Sequence, residues 1–422
     1  MAFLENGLMG GEEEQMIPQE AHVVVIGGGV LGTSAAFHLA AAGHQPVVLL
    51  DRGPVAGGTT PFAAGQTAYL PANRALLPFT KYCIEFFEHF AERTGYAIDF
   101  HQHGSLRVAL TEQFLPTLEV RSDTAKTLGE RVEWLTPQQA QTMVPTLQVP
   151  DARGILFMPR DGYVEPRSVA AAYASAASTH GVTIATRTPV IGVELVDGAV
   201  RAVRTATGTI QTRWVVVAAG AWTRQFCQRL GLNIPVVPVR HQAFVTAPLS
   251  DVVARQPIVR IVDSQVYVRP EAGGLLVGGY GYRPLSFDLQ TFPERFEMPD
   301  LEADQIYYHQ LTAAATACFP ALQDAVVIQE RRGLPTITPD GQYLVSTVDQ
   351  VRGLIIASGC QVGGIWASPG LGKIVADMVS GKESLLPAAL LKADRFGAAY
   401  MHETPLRSQC EQVYAGHYWD RY

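Results

Sequence analysis

The 422-residue chain carries few charges and no concentrated charge of either sign. Charged residues make up 17% of it and the net charge is −7, with no basic cluster. Nucleic acids are bound through clustered lysine and arginine, so this balance argues against a nucleic-acid partner. Apolar runs are short, and none approaches the roughly 18 residues that indicate a membrane span. The composition therefore predicts a soluble globular protein with neither kind of partner.

Paired cysteines are missing as well. The five cysteines are scattered without a CxxC pair or a metal-ligand spacing, so we expect reduced structural thiols, no metal site and a cytoplasmic location. Residues 1–20 lack the basic start and long apolar core of a secretory signal and are interpreted as an N-terminal extension. The length exceeds that of one ordinary domain, which predicts two closely packed domains.

What the chain does contain, almost at its start, is a nucleotide-binding pattern. The apolar, β-branched run 23–26 predicts a buried parallel strand, and the glycine pattern GxGxxG follows it directly. Gly27 permits the tight turn, Gly29 lets the backbone approach a pyrophosphate, and Gly32 allows the next helix to pack closely on the strand.

The residues after the glycines complete a βαβ unit. A helix begins near Val30 and Leu31, where unpaired N–H groups and the positive dipole end suit a diphosphate. A second apolar strand, 47–50, ends at Asp51, whose carboxylate would accept hydrogen bonds from an adenosine ribose. A purely structural glycine turn is the alternative, but strand, glycines, helix and acid together predict a bound dinucleotide.

The remaining pattern divides the chain into two interleaved domains. Further strands near 190–205, 214–217 and 354–358 predict a return to the nucleotide domain, with helices at about 78–94 and 166–180 and another that begins near Gly370. Alternating strands with aromatics between 238 and 293 predict an antiparallel sheet. We predict an α/β fold: a Rossmann-like nucleotide-binding domain (21–100, 150–235 and 330–385), an inserted antiparallel-sheet substrate domain (101–149 and 236–329), and a C-terminal tail (386–422).

Four further segments, 58–66, 240–245, 267–280 and 363–372, follow the fingerprint in an order that resembles the D-amino-acid oxidase superfamily of flavoproteins. The resemblance spans nearly the whole chain. It is closest to the flavin domain of the dimethylglycine oxidase/dehydrogenase and sarcosine oxidase group. The tail after Glu411 is similar to the segment that leads into a folate-binding domain in that group, and because the chain stops at Tyr422 we expect no folate transfer on this polypeptide.

The resemblance implies FAD in the nucleotide domain and oxidation of a small secondary or tertiary amine. Hydride transfer to flavin N5 would give an iminium that hydrolyses to the demethylated amine and formaldehyde. Two alternatives stay open: an oxidase or dehydrogenase of a primary or cyclic amino acid such as glycine, proline or hydroxyproline, and the flavin subunit of a hetero-oligomeric amine dehydrogenase. Oxygen or another redox partner would accept the electrons. Monomeric sarcosine oxidases place a lysine beside the flavin, where its charge favours reaction with O2. This chain has no lysine between Lys126 and Lys373, which favours another redox partner. The resemblance is compatible with either a homo-oligomer or a hetero-oligomer.

The resemblance also implies how FAD is held. Pro61 and Phe62 stand where the dimethylglycine group has the Trp-His pair of its covalent flavin link, and Gly333 stands at about the place of the linking cysteine of monomeric sarcosine oxidases. We therefore expect non-covalent FAD. Beyond the fingerprint, the predicted cofactor-binding residues are Arg52, Thr59, Thr60, Ala64, Gly65, Gln66, Val190, Ala219, Gly220, Trp222, Gly333, Gly363, Gly364 and Ile365.

The same comparison implies two catalytic side chains. His241 matches an active-site histidine that would bind or deprotonate the amine, since histidine titrates near neutral pH. Tyr267 matches a tyrosine that would orient the amine through its hydroxyl. A hydrogen-bonded strand histidine and a packing tyrosine are the structural alternatives.

The substrate contacts follow from aromatic and cationic residues nearby. Tyr280 and Tyr282 are predicted to form an aromatic wall that attracts an alkylated cation. Trp366 is also predicted to contact the substrate, since it stands at about the place of a lysine that helps bind the sarcosine carboxylate. A carboxylate would therefore need Arg240, Arg269 or Arg283 instead. A substrate without a carboxylate is the alternative.

Overall fold

The computed structural model describes residues 17–71 and 73–416. The strands are β1 (Val23–Ile26), β2 (Val47–Leu50), β3 (Gln66–Thr67), β4 (Phe100–His101), β5 (Ser105–Ala109), β6 (Glu133–Trp134), β7 (Gly154–Met158), β8 (Gly162–Val164), β9 (Thr183–Ala185), β10 (Val190–Val196), β11 (Ala199–Thr205), β12 (Thr209–Gln211), β13 (Trp214–Val217), β14 (Val237–Pro238), β15 (His241–Thr246), β16 (Ile258–Ile261), β17 (Val266–Glu271), β18 (Gly274–Gly279), β19 (Val327–Gly333), β20 (Thr336–Ile337), β21 (Leu344–Val348) and β22 (Val351–Ser358). The helices are α1 (Val30–Ala41), α2 (Leu77–Glu88), α3 (Phe90–Thr94), α4 (Leu115–Leu128), α5 (Pro137–Met143), α6 (Pro166–Thr179), α7 (Thr223–Gln228), α8 (Gln305–Thr316), α9 (Gly364–Ser380), α10 (Ala388–Leu391) and α11 (Glu403–Ala415).

The predicted βαβ unit is confirmed and forms the centre of a nine-stranded sheet. The strand order is β10-β11-β22-β13-β1-β2-β9, with β12 on β11 and β21 on β22. β1 pairs in parallel with both β2 and β13. Val23 and Val25 belong to one hydrophobic core and Val24 and Ile26 to the other. A strand that is buried on both faces needs apolar side chains throughout, which explains the unbroken run.

Helices α1, α2, α6 and α9 supply one of these cores. α1 and α9 approach each other closely, since Ser34 Oγ donates to the carbonyl of Ser368 over 2.7 Å. A Cβ at Gly372 would lie 2.3 Å from the same hydroxyl oxygen, so this contact requires glycine. The close packing brings the N-terminal ends of both helices to the same side of the sheet.

The second domain contains an eight-stranded sheet in the order β19-β15-β18-β17-β16-β5-β7-β6. The predicted antiparallel pattern is confirmed for its hairpins, but β16 pairs with β5 in parallel. β5 comes from an earlier part of the chain, and pairing between distant segments is not visible in a local pattern. For the same reason the predicted boundaries at 150 and 330 differ from sheet membership, because β7 and β19 belong to this second sheet.

Two helices differ from their predicted bounds. The helix expected to begin near Gly370 begins at Gly364 and contains Pro369. Proline has no N–H for the carbonyl of Ile365, and Ser368 Oγ donates to that carbonyl instead at 2.8 Å. The helix predicted over 78–94 is divided at His89 into α2 and α3.

The C-terminal helix α11 packs back on the second domain. Its buried side chains, Leu406, Cys410 and Tyr414, recur every fourth residue and join a core with Tyr267 and Tyr280. Residues 1–16 of the predicted extension and 417–422 of the predicted tail lie outside the described residues. None of the helices in the described ranges combines the length and apolarity needed to cross a bilayer.

Candidate active site

A cavity of about 1330 Å³ opens where the carboxyl ends of β1, β2 and β13 meet the second sheet. One end is lined by the glycine loop after β1 and the N-terminus of α9. The other end is lined by side chains of the second sheet, namely His241, Arg260, Tyr267 and Tyr280. Ligands of open α/β sheets bind at this edge.

The glycine loop forms part of the cavity wall. Gly27, Gly29, Val30 and Leu31 line the cavity. A Cβ at Gly29 would have only Thr60 Oγ1 within 4 Å, at 3.5 Å, so a ligand can approach this backbone closely. Gly32 lies behind the loop, where a Cβ would be 1.8 Å from the Gly27 carbonyl oxygen. These are the three glycine positions that the fingerprint predicts, and the open backbone at a helix N-terminus suits a diphosphate.

Asp51 stands at the end of β2 with its carboxylate on the cavity wall. Its oxygens accept hydrogen bonds from the N–H groups of Gly28 and Gly53, at 2.5 and 2.6 Å. Burial raises the pKa of Asp51, and the two N–H bonds oppose that rise. Arg52 lies over the ring of Trp222, with its guanidinium carbon 4.0 Å from the ring centroid.

The other predicted cofactor-binding residues also lie along this cavity. It is lined by Arg52, Thr59, Thr60, Ala64, Gly65, Gln66, Val190, Ala219, Gly220, Trp222, Gly333, Gly363, Gly364 and Ile365. They come from segments up to 313 positions apart in the sequence, 52 to 365, and only the fold brings them together.

The turn before α9 is held in an unusual conformation. Gln361 and Val362 both have positive φ, 51° and 65°, which costs of order 1–3 kcal/mol for a non-glycine residue. The Gln361 amide donates to Thr338 Oγ1 at 2.8 Å and to the Gly359 carbonyl at 3.2 Å. These bonds hold the first turn of α9, with Gly363 and Gly364, against the cavity. The glycine-rich pattern predicted a turn here but not two left-handed residues before it.

His241 and Tyr267 form a hydrogen-bonded pair on neighbouring parts of the second sheet. His241 Nε2 lies 2.8 Å from the Tyr267 hydroxyl, and Nδ1 lies 2.8 Å from the hydroxyl of Tyr414. Burial lowers the pKa of His241 to about 3, so the ring is neutral at neutral pH. Both ring nitrogens are engaged by tyrosines, and the pair therefore presents Tyr267, rather than an imidazole nitrogen, as its polar group toward the cavity.

Aromatic rings surround the pair. Tyr280 stacks on His241 with centroids 5.0 Å apart and lies 5.6 Å from the ring of Tyr414. Tyr414 comes from α11, and the sequence interpretation did not include it. The only signal was the similarity of the segment around it to a known C-terminal segment, because nothing local ties residue 414 to residue 241.

The comparison with known proteins decides the family. The model of the family DAO, FAD dependent oxidoreductase, matches residues 22–378 of this chain. The chain belongs to this family of FAD-dependent oxidoreductases.

Among the curated relatives of this family member is 4-methylaminobutanoate oxidase (formaldehyde-forming) of Paenarthrobacter nicotinovorans, 27% identical over 406 residues that cover 95% of this chain and 49% of the relative. Mitochondrial dimethylglycine dehydrogenase of Homo sapiens is 32% identical over 410 residues, 92% of this chain and 46% of the relative. The solved structure of L-proline dehydrogenase from P. horikoshii superimposes with a TM-score of 0.80 and 25% identity, covering 90% of this chain and 98% of that chain. This chain spans about half the length of the two curated relatives.

The cavity fits the FAD of this oxidoreductase family. The glycine loop would hold the pyrophosphate, Asp51 the ribose, and the N-terminus of α9 an edge of the flavin ring. Phe62 and Gly333 line the cavity and offer no nucleophile for a covalent bond to the flavin. Cys360 also lines the cavity, and burial raises its pKa, which keeps it a thiol.

The three arginines predicted as carboxylate contacts are paired with acidic side chains and are absent from the residues that line the cavity. Arg240 and Arg283 both pair with Asp304, at 2.6 and 3.0 Å. Arg269 pairs with Glu271 and donates to the carbonyl of Ala64 at 2.8 Å.

The cationic side chain that the second sheet does bring to the cavity is Arg260. It lies opposite Tyr267 in the register of β16 and β17. Its guanidinium bonds Asp161 at 2.8 Å and Gln66 Oε1 at 3.0 Å. Sequence reasoning missed it, although the arginine interrupts the apolar run 258–261, because its partners Asp161 and Gln66 lie far away in the chain.

Of the two remaining residues predicted to contact the substrate, one lines the cavity and the other does not. Trp366 lines the cavity from the first turn of α9 and packs edge-on against Phe79, with centroids 5.9 Å apart. Tyr282 does not line it. Its hydroxyl donates to the carbonyl of Ser264, and its ring packs against Tyr307 on the other side of the sheet. The aromatic wall of the cavity therefore contains Tyr280 without Tyr282.

Proposed function

We propose that this protein is an FAD-dependent oxidoreductase of a small secondary or tertiary amine, with an N-methyl amino acid as the preferred class of substrate. The observation that carries the proposal is the His241–Tyr267 pair, which lines the same cavity as the nucleotide cradle. The family membership and the similarity to two enzymes named for N-methylated compounds support the same class.

The side chains have distinct parts in this reaction. Bound FAD would supply the two-electron oxidation and take a hydride from the carbon next to the substrate nitrogen. Tyr267 would hold the nitrogen through its hydroxyl, and neutral His241 would keep that hydroxyl in place. The ring of Tyr280 would face the alkyl groups. Water would then add to the iminium carbon, and an N-methyl substrate would leave as the demethylated amine and formaldehyde.

Arg260 is the proposed partner of a substrate carboxylate. It lies beside Tyr267 on the cavity wall, so a carboxylate one or two bonds from a nitrogen at Tyr267 could reach it. Arginine suits a carboxylate because its planar fork offers two parallel N–H donors. The guanidinium also bonds Asp161, Ser105, Gln66 and the carbonyl of Thr67, so a substrate carboxylate would be met by the Nη2 hydrogen that these contacts leave.

The electron acceptor is proposed to be a redox partner rather than O2. Among the described residues that line the cavity there is no lysine, whereas similar oxidases place a lysine beside the flavin to favour reaction with O2. FAD is proposed to be bound non-covalently, since Phe62 and Gly333 offer no atom for a bond.

A cyclic amino acid is the second candidate substrate. The fold similarity to L-proline dehydrogenase, with a TM-score of 0.80, supports it. In that case the product would be a cyclic imine, with no formaldehyde released.

Anaerobic bleaching of the oxidised-flavin absorbance tests these alternatives. The holoenzyme is mixed with N-methyl amino acids, primary amino acids and proline, and air is admitted afterwards. Rapid bleaching by an N-methyl compound, with formaldehyde and slow recolouring in air, is expected. Bleaching by proline alone would replace the first candidate with the second. Bleaching by none of them, with FAD bound, would contradict both.

Two tyrosine variants give the matched control. Tyr267→Phe is expected to slow bleaching by about 100-fold, within the range for loss of a group that orients or exchanges a proton. Tyr308, on the opposite face of the same sheet, is the control, and Tyr308→Phe should bleach at the parental rate. Equal rates in the two variants would remove Tyr267 from the mechanism.

A further inference from the structure

The C-terminal helix α11 contributes a buried hydroxyl to the His241–Tyr267 pair. The Tyr414 side chain is fully buried, and its hydroxyl lies 2.8 Å from His241 Nδ1. Within residues 17–71 and 73–416, the contact with this nitrogen is the one that meets hydrogen-bond geometry, and the Tyr307 hydroxyl is a second polar neighbour of Tyr414. The single hydrogen of the Tyr307 hydroxyl is directed at two backbone carbonyls, those of Gln242 and Gly279, at 2.9 and 2.8 Å.

The number of hydrogens on the His241 ring limits the directions of its two hydrogen bonds, to Tyr267 and to Tyr414. A neutral imidazole has one N–H donor and one nitrogen that accepts. One of the two tyrosines must therefore donate to His241 while the other accepts from it. A buried O–H that lacks an acceptor is costly. Because Nδ1, at 2.8 Å, is the acceptor that meets hydrogen-bond geometry with Tyr414, the Tyr414 O–H is expected to donate to it rather than to the Tyr307 oxygen.

We propose that Tyr414 is a positioning residue that holds His241 in the tautomer with its hydrogen on Nε2. His241 then donates to the Tyr267 oxygen, and the hydrogen of the Tyr267 hydroxyl is directed away from the imidazole. The catalytic part of the proposal rests on the proposed function: Tyr267 meets the substrate nitrogen as a hydrogen-bond donor, which selects the neutral amine. Hydride transfer needs that neutral form, because its lone pair forms the iminium bond.

The position of α11 is set by contacts that do not involve His241. Glu411 accepts hydrogen bonds from the backbone N–H and the hydroxyl of Ser286, at 2.8 and 2.6 Å. Arg407 donates to the carbonyl and the hydroxyl of the same residue, at 2.6 and 2.8 Å. These bonds fix the helix, so removal of one hydroxyl at its buried face should leave it docked.

Nitrogen NMR of the holoenzyme tests the tautomer without any substrate. With 15N-labelled histidine, the two ring nitrogens of a neutral imidazole have distinct shifts for the protonated and the unprotonated atom, and the His241 signals are identified by their loss in His241→Gln. The parental protein is expected to show the hydrogen on Nε2. Tyr414→Phe is expected to lose this single state and to move hydrogen to Nδ1.

Tyr307→Phe is the matched control, because it removes a neighbouring buried hydroxyl that does not contact His241. It should leave the His241 spectrum unchanged. A parental spectrum with the hydrogen on Nδ1, or an unchanged spectrum in Tyr414→Phe, would overturn the proposal. A shift of equal size in Tyr307→Phe would also overturn it, since Tyr414 would then be donating to Tyr307.

The kinetic consequence is measured separately. Tyr414→Phe is expected to slow amine-dependent bleaching about tenfold and to shift its pH profile toward higher pH, with FAD still bound. An altered tautomer with an unchanged rate and pH profile would overturn the catalytic part alone. If no amine bleaches the parental flavin, the proposed function fails while the NMR result still decides the tautomer.

Discussion

Gly278 lies directly across the strand pair from Tyr267, under its ring. The two residues are register partners of β17 and β18, and a Cβ at Gly278 would lie 2.1 Å from the Tyr267 hydroxyl oxygen. The absence of a side chain at one position thus determines where the hydroxyl at the other can lie. The distance between that hydroxyl and His241 depends on it.

Gly278→Ala should therefore displace Tyr267 and impair chemistry more than cofactor binding. We expect bleaching by the amine to slow about 100-fold, since a misplaced group near the reacting atoms costs this much. The FAD content should be unchanged. Gly397→Ala is the control, because a Cβ there has no atom within 4 Å and φ is −66°. Parental rates in Gly278→Ala would contradict the contact.

Arg260→Lys should discriminate between substrates. Lysine keeps the charge that pairs with Asp161, whereas an apolar residue would leave that buried carboxylate without its cation at a cost of about 3–5 kcal/mol. Lysine lacks, however, the planar guanidinium whose paired N–H donors suit a carboxylate. We expect KM for an N-methyl amino acid to rise about tenfold and KM for an N-methyl amine without a carboxylate to change little. An equal rise in KM for the two substrates would show that Arg260 stabilises the site without binding the substrate carboxylate.

Asp51→Asn should weaken FAD binding without removing it. The amide keeps the shape and can still accept one of the two N–H bonds, but it loses the charge-assisted bond to the ribose. We expect the FAD dissociation constant, measured from flavin fluorescence, to rise about tenfold or more. Asp349→Asn, at an exposed turn outside the cavity, should bind FAD as the parental protein does.

Acid precipitation of the holoenzyme tests how FAD is attached. All flavin is expected in the supernatant, because Phe62 and Gly333 offer no nucleophile. Flavin retained in the pellet would contradict this. Its release after Cys360→Ser would then identify Cys360 as the attachment point, since this thiol lines the same cavity.

Acid should destabilise the fold through two buried histidines. Burial lowers the pKa of His38 to about 4 and that of His241 to about 3, whereas an unfolded histidine titrates near 6.5. Between about pH 4 and 6.5 the unfolded chain therefore binds protons that the folded chain does not. Each histidine should lower the free energy of unfolding by about 1.4 kcal/mol per pH unit on acidification in this range.

Denaturant unfolding at several pH values checks this sign and slope. His241→Gln should have a shallower dependence than the parental protein, because one of the two titrating groups is gone. A free energy of unfolding that stays constant or rises on acidification would contradict burial of neutral histidines.

The βαβ unit shows what a local pattern can predict. Val23 to Ile26 is apolar throughout because both faces of the strand are buried, and Gly27, Gly29 and Gly32 are set by contacts within a short stretch of chain. Such contacts between near neighbours leave a signature in consecutive residues. The antiparallel hairpins of the second sheet were predictable for the same reason.

The substrate end of the cavity shows what the pattern could not supply. Arg240 and Arg260 both belong to or adjoin strands, yet Asp304 holds the first away from the cavity, and Asp161 and Gln66 hold the second at it. Which arginine serves the site depends on partners more than 40 positions away, as Asp304 is from Arg240. Composition and periodicity carry no information about such partners.

By itself, the sequence determined the cofactor class, the strand that precedes the glycines and the presence of a second, antiparallel sheet, because each depends on residues close together in the chain. Only the tertiary structure decided that Tyr414 of the last helix meets His241, 173 positions earlier, and that both ring nitrogens of this histidine are engaged by tyrosines. The physical reason is that hydrogen bonds and burial act on distance in space, and folding brings together residues whose neighbours in sequence have no part in the contact.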